Sequence, residues 1–308
     1  MVVYNFSLPT SPTSPTSHFS LPTSPTSHFS LLTSHFSLLT SHFSLLTSHF
    51  SLLTFKGVSM PRLNNMQNIQ IPGPGTFSFS AVRLDDLGAT EYTLVTIVVD
   101  ITSSVIPFAD ELLNCVKMIV KACKKSPRAE NLLLRLLAFN TKLYEIHGFK
   151  PLSDIAPDDY KPFKPAGMTA LFDAAYSGVS ATLEMAERLI KQDFDANGCV
   201  YIITDGMDNA STMTPKNIAD KIKSAMHEEM IESLVTILIG IIDSKNGYAK
   251  DVRQCLTTFE VEAELTQFVD AGHATPQKLA KLAQFVSQSI STQSQSLGTG
   301  APSQPLQF

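Results

Sequence analysis

Charge is missing from the first 55 residues: no Asp, Glu, Lys or Arg precedes Lys56, so every formal charge falls on the remainder of the 308-residue chain. A globular surface needs charged and polar cover, so this stretch is set apart from any folded domain. Also absent is an apolar run approaching the roughly 20 residues that span a bilayer. The longest, Leu234 to Ile242, is strand-sized. The N-terminus lacks the basic n-region and continuous apolar h-region of a secretory signal. No CxxC pair joins the cysteines at 115, 123, 199 and 255, and three of them sit in apolar-periodic segments, which reads as buried free thiols. A basic excess is missing as well: with a net charge of −5, neither nucleic acid nor a membrane surface is expected as a partner. No GxxxxGK[ST] loop occurs, which disfavours nucleotide hydrolysis. These absences together predict a soluble, cytoplasmic chain.

What is present begins with a repeat. From His28 the text reads HFSLLTS in tandem, with His at 28, 35, 42 and 49 behind PTSPTS variants. A coiled-coil heptad is excluded by the upstream prolines and by the lack of charged e and g positions. A seven-base DNA repeat, CACTTCT, returns to frame after three copies and translates as His-Phe-Ser-Leu-Leu-Thr-Ser. Residues 1–59 are therefore expected to be either a mis-assigned start, with Met60 the natural beginning, or a disordered Ser/Thr/Pro-rich segment with no core partner. The histidine spacing follows from the repeat and is not read as a metal tract.

Residues 60–90 are rich in Asn, Gln, Pro and Gly and are expected to form an extension wrapped on the main domain, with GPGTFSFSAV as a short edge strand. The main domain is placed at 91–290. YTLVTIVV, Tyr92 to Val99, is a continuous β-branched run of the kind that is buried on both faces of a parallel sheet. Residues 105–124 have helical apolar spacing; 131–139 and 142–149 read as paired strands; 169–190 is an Ala-rich helix. CVYIIT, Cys199 to Thr204, is a second buried strand. Pro215 to Ile231 reads as a helix capped by Thr214, with Pro215 as its first residue. Residues 234–242 form a third central strand, 248–256 a short helix, 260–269 include a final strand, and 276–290 form a closing helix. The tail 291–308, rich in Ser, Gln, Gly and Pro, is expected to be disordered. Alternating strands and helices predict an α/β fold: three-layer, doubly wound, mainly parallel, with one antiparallel edge strand.

In such sheets ligands bind at the carboxyl ends of the strands. Three strand-end or helix-start segments carry short oxygen side chains: Asp100, Thr102 and Ser104 after YTLVTIVV, Thr169 in GMTAL before the Ala-rich helix, and Asp205 in TDG after CVYIIT. None supplies His or Cys. Hard oxygen donors of this type suit Mg²⁺ or Mn²⁺, and two carboxylates balance a divalent ion. Taken alone, Ser104 or Thr169 is a helix cap and TDG a turn. Asp208 and Asn209 read as solvated turn residues at the rim, with partner contact the lesser reading. His147 and His273 read as structural or exposed.

In this order and setting the five residues resemble the metal ion-dependent adhesion site of the von Willebrand factor type A domain family, over roughly residues 91–290. The family pattern is Asp-x-Ser-x-Ser, then Thr, then Thr-Asp-Gly; here Thr102 replaces the first Ser, keeping the hydroxyl and adding a methyl that stiffens the rotamer. The resemblance implies binding and not turnover: hydroxyls and the separate Thr ligate the cation, the Asp residues act largely through waters, and a partner protein's carboxylate takes the open position. It also makes an ATPase or stress-response partner plausible. The competing reading is a Mg²⁺-dependent phosphohydrolase or phosphoryl-transfer enzyme with Asp100 as nucleophile, although such chemistry usually wants an acid where Thr102 stands. A third is a scaffold whose metal site is structural or empty. Mass spectrometry of the natural protein should yield no peptide from residues 1–55; any such peptide refutes the mis-assigned start.

Overall fold

The computed structural model describes residues 66–245, 247–299 and 306–308. They belong to one compact unit, Leu63–Phe308, and the expectations for residues 1–59 lie outside them. The unit is an α/β sandwich of three layers.

Its centre is strand β3, Glu91–Asp100, buried from Tyr92 to Asp100. Parallel neighbours are β4, Leu132–Phe139, on one side and β6, Asp195–Thr204, on the other. Beyond β6 come β7, Leu234–Gly240, and β8, Gln267–Asp270, both parallel. Beyond β4 lies β5, Leu143–Pro151, which runs antiparallel to it.

Alternation along β3 feeds two cores. Leu94 and Val98 face helix α2, Leu171–Ile190, with α3, Pro215–His227, and α4, Ala249–Glu262, on the same side. Val95, Ile97 and Val99 face α1, Ala109–Cys123, and α5, Pro276–Thr299. Gly178 on α2 lets the helix approach closely, since a Cβ there would lie 2.9 Å from Val98 Cγ2. α3 opens with the expected Thr214 cap, completed into a capping box by Asn217.

Three expectations are corrected. First, the strand expected in GPGTFSFSAV is not the outermost one beyond β5. Strand β2, Ser78–Ala81, pairs with β5 in parallel at Ala81–Phe149, and β1, Gln67–Gln70, pairs antiparallel with β2. Gly148 makes the crossing possible, because a Cβ there would sit 1.8 Å from the Ser80 carbonyl oxygen. Second, α4 runs on to Glu262, past the 248–256 expected.

Third, the tail is not disordered over 291–299: α5 continues to Thr299. Its Ser and Gln residues meet polar partners in the fold. Asn197 Nδ2 donates to Gln293 O at 2.8 Å, Gln293 Nε2 to Ser233 Oγ at 2.9 Å, and Arg128 Nε to Ser294 Oγ at 3.0 Å. A polar helix face can be buried when each group finds a partner, and composition does not reveal those partners. Phe308 also docks, its ring 5.3 Å from that of Phe285 and 4.4 Å from Lys281 Nζ.

Arg135, only 1% exposed, is the largest buried cation. It pairs with Glu145 at 2.8 Å, and Glu145 in turn accepts from Ser80 N and Oγ, tying β4, β5 and β2 together. On β5, His147 donates through Nδ1 to the Gly148 carbonyl at 3.0 Å, which leaves Nε2 to accept from the Tyr160 hydroxyl at 2.8 Å. Burial lowers its pKa to about 4, with nearby Lys150 adding to the effect. The unfolded chain thus takes up a proton near the ordinary value of about 6.5 that the folded chain refuses until about pH 4. Stability should fall as pH drops from about 6.5 to about 4, and the gap between wild type and His147→Gln in urea unfolding should shrink over that window. A gap independent of pH would contradict the assignment.

Candidate metal centre

Register decides where the loops emerge. Pairing of Asp100 with Phe139 and of Val99 with Ile203 brings the ends of β3, β4 and β6 to one edge of the sheet. The segments predicted to carry the site leave from there.

The first begins with Asp100, which is 1% exposed. Its Oδ1 accepts from Thr102 N at 2.8 Å and its Oδ2 from Thr204 Oγ1 at 2.6 Å. Burial raises the Asp100 pKa, and the hydrogen bonds from Thr204 and Thr102 oppose that shift. A short 3₁₀ helix, Ser103–Phe108, follows at once and turns Ser104 back toward Thr102, whose hydroxyls lie 2.9 Å apart. Ser104 Oγ then donates to Asp205 Oδ1 at 2.8 Å. Burial first, and then the charge of Asp100, push the Asp205 pKa up to about 6, against the Ser104 hydrogen bond.

Thr169 arrives on the second loop. Gly167 turns the chain with φ +80°, a left-handed value suited to glycine, and its carbonyl accepts from Ser103 N at 3.4 Å. Thr169 N donates to Asn209 Oδ1 at 2.8 Å, and Thr169 O accepts from Asn209 N and Ala210 N. The Thr169 hydroxyl lies 3.9 Å from where a Cβ on Gly206 would stand, so it faces the loop that carries Asp205. Asp100, Thr102, Ser104 and Asp205 are thus joined by a run of hydrogen bonds, with Thr169 across from Gly206. The N-cap positions are Thr102 for the 3₁₀ helix and Ala170 for α2, and neither makes a side-chain cap bond, so Ser104 and Thr169 are not the caps.

Other residues of the site escaped the sequence reading. Thr204 bridges Asp100 and the Gly206 amide, which donates to it at 3.2 Å. Asp208 is half-buried and Asn209 exposed, and both side chains make bonds that a merely solvated turn would not. Asp208 accepts from Phe172 N at 3.3 Å and Ser211 Oγ at 2.5 Å, and Asp173 accepts from Met213 N at 2.7 Å, clamping the third loop onto the start of α2. The only local signal was a cluster of Asx and Ser side chains able to accept or give short-range bonds; their partners lie 36 to 40 residues away.

Among the described residues no three His, Cys, Asp or Glu side chains form a group able to hold a metal. The donor set here is two carboxylates plus three hydroxyls, all oxygen, and none of the ion pairs in the structure neutralises Asp100 or Asp205. That chemistry fits a hard divalent cation. Removing the Asn209 acceptor should cost about 1–2 kcal/mol, the penalty for an unpaired, part-buried amide. Asn209→Ala should therefore lower the urea midpoint and speed hydrogen exchange at the Thr169 amide, whereas Asn209→Asp should restore both; unchanged exchange in the alanine variant would refute the clamp.

No protein-family model matches the chain, and no curated protein matches it. Among solved structures it is similar to the PilB minor pilin from Streptococcus sanguinis, at 16% identity and TM-score 0.47 over 72% of this chain and 66% of that one. It is also similar to proximal thread matrix protein 1 from the mussel byssus, solved with a zinc-occupied MIDAS motif, at 18% identity and TM-score 0.43 over 66% of this chain and 47% of that one. An aerotolerance-related membrane protein from Bacteroides fragilis NCTC 9343 matches at 14% identity and TM-score 0.38, with 64% of this chain and 98% of that one covered. The chain spans less than two thirds of the pilin and of the thread protein.

Proposed function

We propose that this chain is a protein-interaction module that binds a partner's acidic side chain through a divalent cation, Mg²⁺ or Mn²⁺. The observation that carries the reading is the run of hydrogen bonds joining Asp100, Thr102, Ser104 and Asp205, with Thr169 facing Gly206, around two carboxylates that have no cationic partner. Like charges held close together raise each other's proton affinity, and a divalent ion removes that penalty. Thr102, Ser104 and Thr169 would hold the ion through hydroxyls, with Asp100 and Asp205 balancing its charge. Because neutral oxygens supply much of the shell, the ion keeps Lewis acidity for an incoming carboxylate.

The module reading is favoured over the enzyme reading by the state of Asp100. Both its oxygens already accept hydrogen bonds and the residue is 1% exposed, which suits a buried anchor better than a nucleophile. Position 102, where a second acid would act in phosphoryl transfer, is Thr. We place the module in the cytoplasm on its four free cysteines, one of them exposed. No helix among the described residues is long and apolar enough to cross a membrane. An ATPase or stress-response protein is our proposed partner class.

Calorimetric titration of Mg²⁺ or Mn²⁺ into the chain should show one site, weakened about tenfold or more by Asp205→Ala and by Thr169→Ala, since each removes a donor. Capture of the partner should be lost in chelator. Equal capture with and without chelator would leave only a scaffold, and release of phosphate from an aryl phosphate, abolished by Asp100→Ala, would establish the enzyme instead.

A further inference from the structure

A second feature lies beside the centre, on the face of the sheet that α1 and α5 cover. After β5 the chain returns through residues 151–166, stiffened by Pro151, Pro157, Pro162 and Pro165. Together with the β4–β5 surface this loop lines an open-sided cavity of about 770 Å³. Binding cavities for small organic ligands are typically about 300–1,000 Å³ and mostly apolar, with a few polar groups.

The floor is Leu136 and Ala138 of β4, with Ile101 at the inner end. One wall is aromatic: His147 and Tyr160 are stacked, with ring centroids 5.8 Å apart and planes 20° apart, and Phe163 stands near them. On the outer side Tyr144 and Ile146 are each 43% exposed, apolar surface left uncovered along β5. A hydrogen bond of 2.8 Å ties the Tyr160 hydroxyl to His147 Nε2.

Charge narrows the ligand. Lys150, Lys161 and Lys164 line the cavity against Asp154, Asp159 and Glu145. Glu145 is already neutralised by Arg135 at 2.8 Å. Three cations then face two carboxylates, a local excess of positive charge in a chain whose net charge is −5. Among the described residues, Lys161 and Lys164 have no hydrogen-bond or ion-pair partner. An aromatic-walled pocket could also suit an organic cation, but lysines at the wall oppose one.

We infer that this cavity binds a small aromatic carboxylate, with its ring against Tyr160 and Phe163 and its carboxylate between Lys161 and Lys164. The site is separate from the metal centre and needs no cation. Its inner end touches Ile101 and Ala166, and Ala166 N donates to Ile101 O at 3.0 Å. Asp100 precedes Ile101, and Gly167 to Thr169 follow Ala166, so the ligand would sit against the segments that carry two of the metal-centre loops.

The test is a titration of 2-naphthoate into the full chain in chelator, with 2-naphthalenemethanol as the uncharged analogue. The work in chelator keeps failure of this site distinct from failure of the metal reading. Naphthoate should saturate one site and bind more tightly than the alcohol. Lys161→Gln with Lys164→Gln should weaken naphthoate about tenfold and leave the alcohol unchanged, as loss of charge-assisted bonds requires. Ala156→Trp, which fills the cavity from an exposed position, should weaken both. No saturable binding, equal affinity for the two compounds, or an unaltered naphthoate affinity in the double lysine variant would each overturn the inference.

Discussion

Two carboxylates, buried Asp100 and half-buried Asp205, are held within each other's field with no basic side chain to answer them. Such an arrangement is unfavourable by itself: burial and mutual repulsion both raise the proton affinity of Asp205, and the hydrogen bonds they accept offset only part of the cost. It persists because the backbone that carries them is fixed elsewhere. β3 and β6 run side by side from the Glu91–Asp195 pair to Val99–Ile203, with apolar side chains buried on both faces. Apolar burial in the two cores, at about 25 cal/mol per Å², is the source of that rigidity. The site is electrostatically unfavourable on its own and is held by a hydrophobic scaffold; the divalent cation we propose would relieve that cost.

Hydroxyl groups give the site its shape. Thr204, at the end of β6, joins Asp100 to the backbone of Gly206 and so ties the first loop to the third. Asn209 does the same between the second and third, accepting from the Thr169 amide while its own amide returns a bond to the Thr169 carbonyl. Neither residue needs to touch a metal. Each removes freedom from a loop whose side chain would, and preorganised ligands bind more tightly because less order must be created on binding.

Much of the fold was legible in the text because it depends on short-range pattern. The β-branched run at 92–99, the Ala-rich helix after Thr169 and the Thr214-Pro215 helix start can be read without a partner in view, since each reflects local periodicity or capping. The errors have the opposite character. Gln293 and Ser294 look like tail composition but are helical, because Asn197, Ser233 and Arg128 receive them. The GPGTFSFSAV strand looked like an edge because Gln67–Gln70, which pairs outside it as β1, is polar apart from Ile69 and carries no strand pattern of its own.

The order of residues alone determined which side chains could form a hard-oxygen site and that all of them stand at strand ends or helix starts, because these follow from residue chemistry and from the alternation of buried strands with helices. Only the tertiary structure decided which of them meet: that Ser104 reaches Asp205 across 101 residues, that Asn209 holds Thr169, and that a proline-stiffened loop leaves a cavity beside them. Contacts between distant residues are set by sheet register and by packing in two cores, and those are properties of the whole chain that no local stretch encodes.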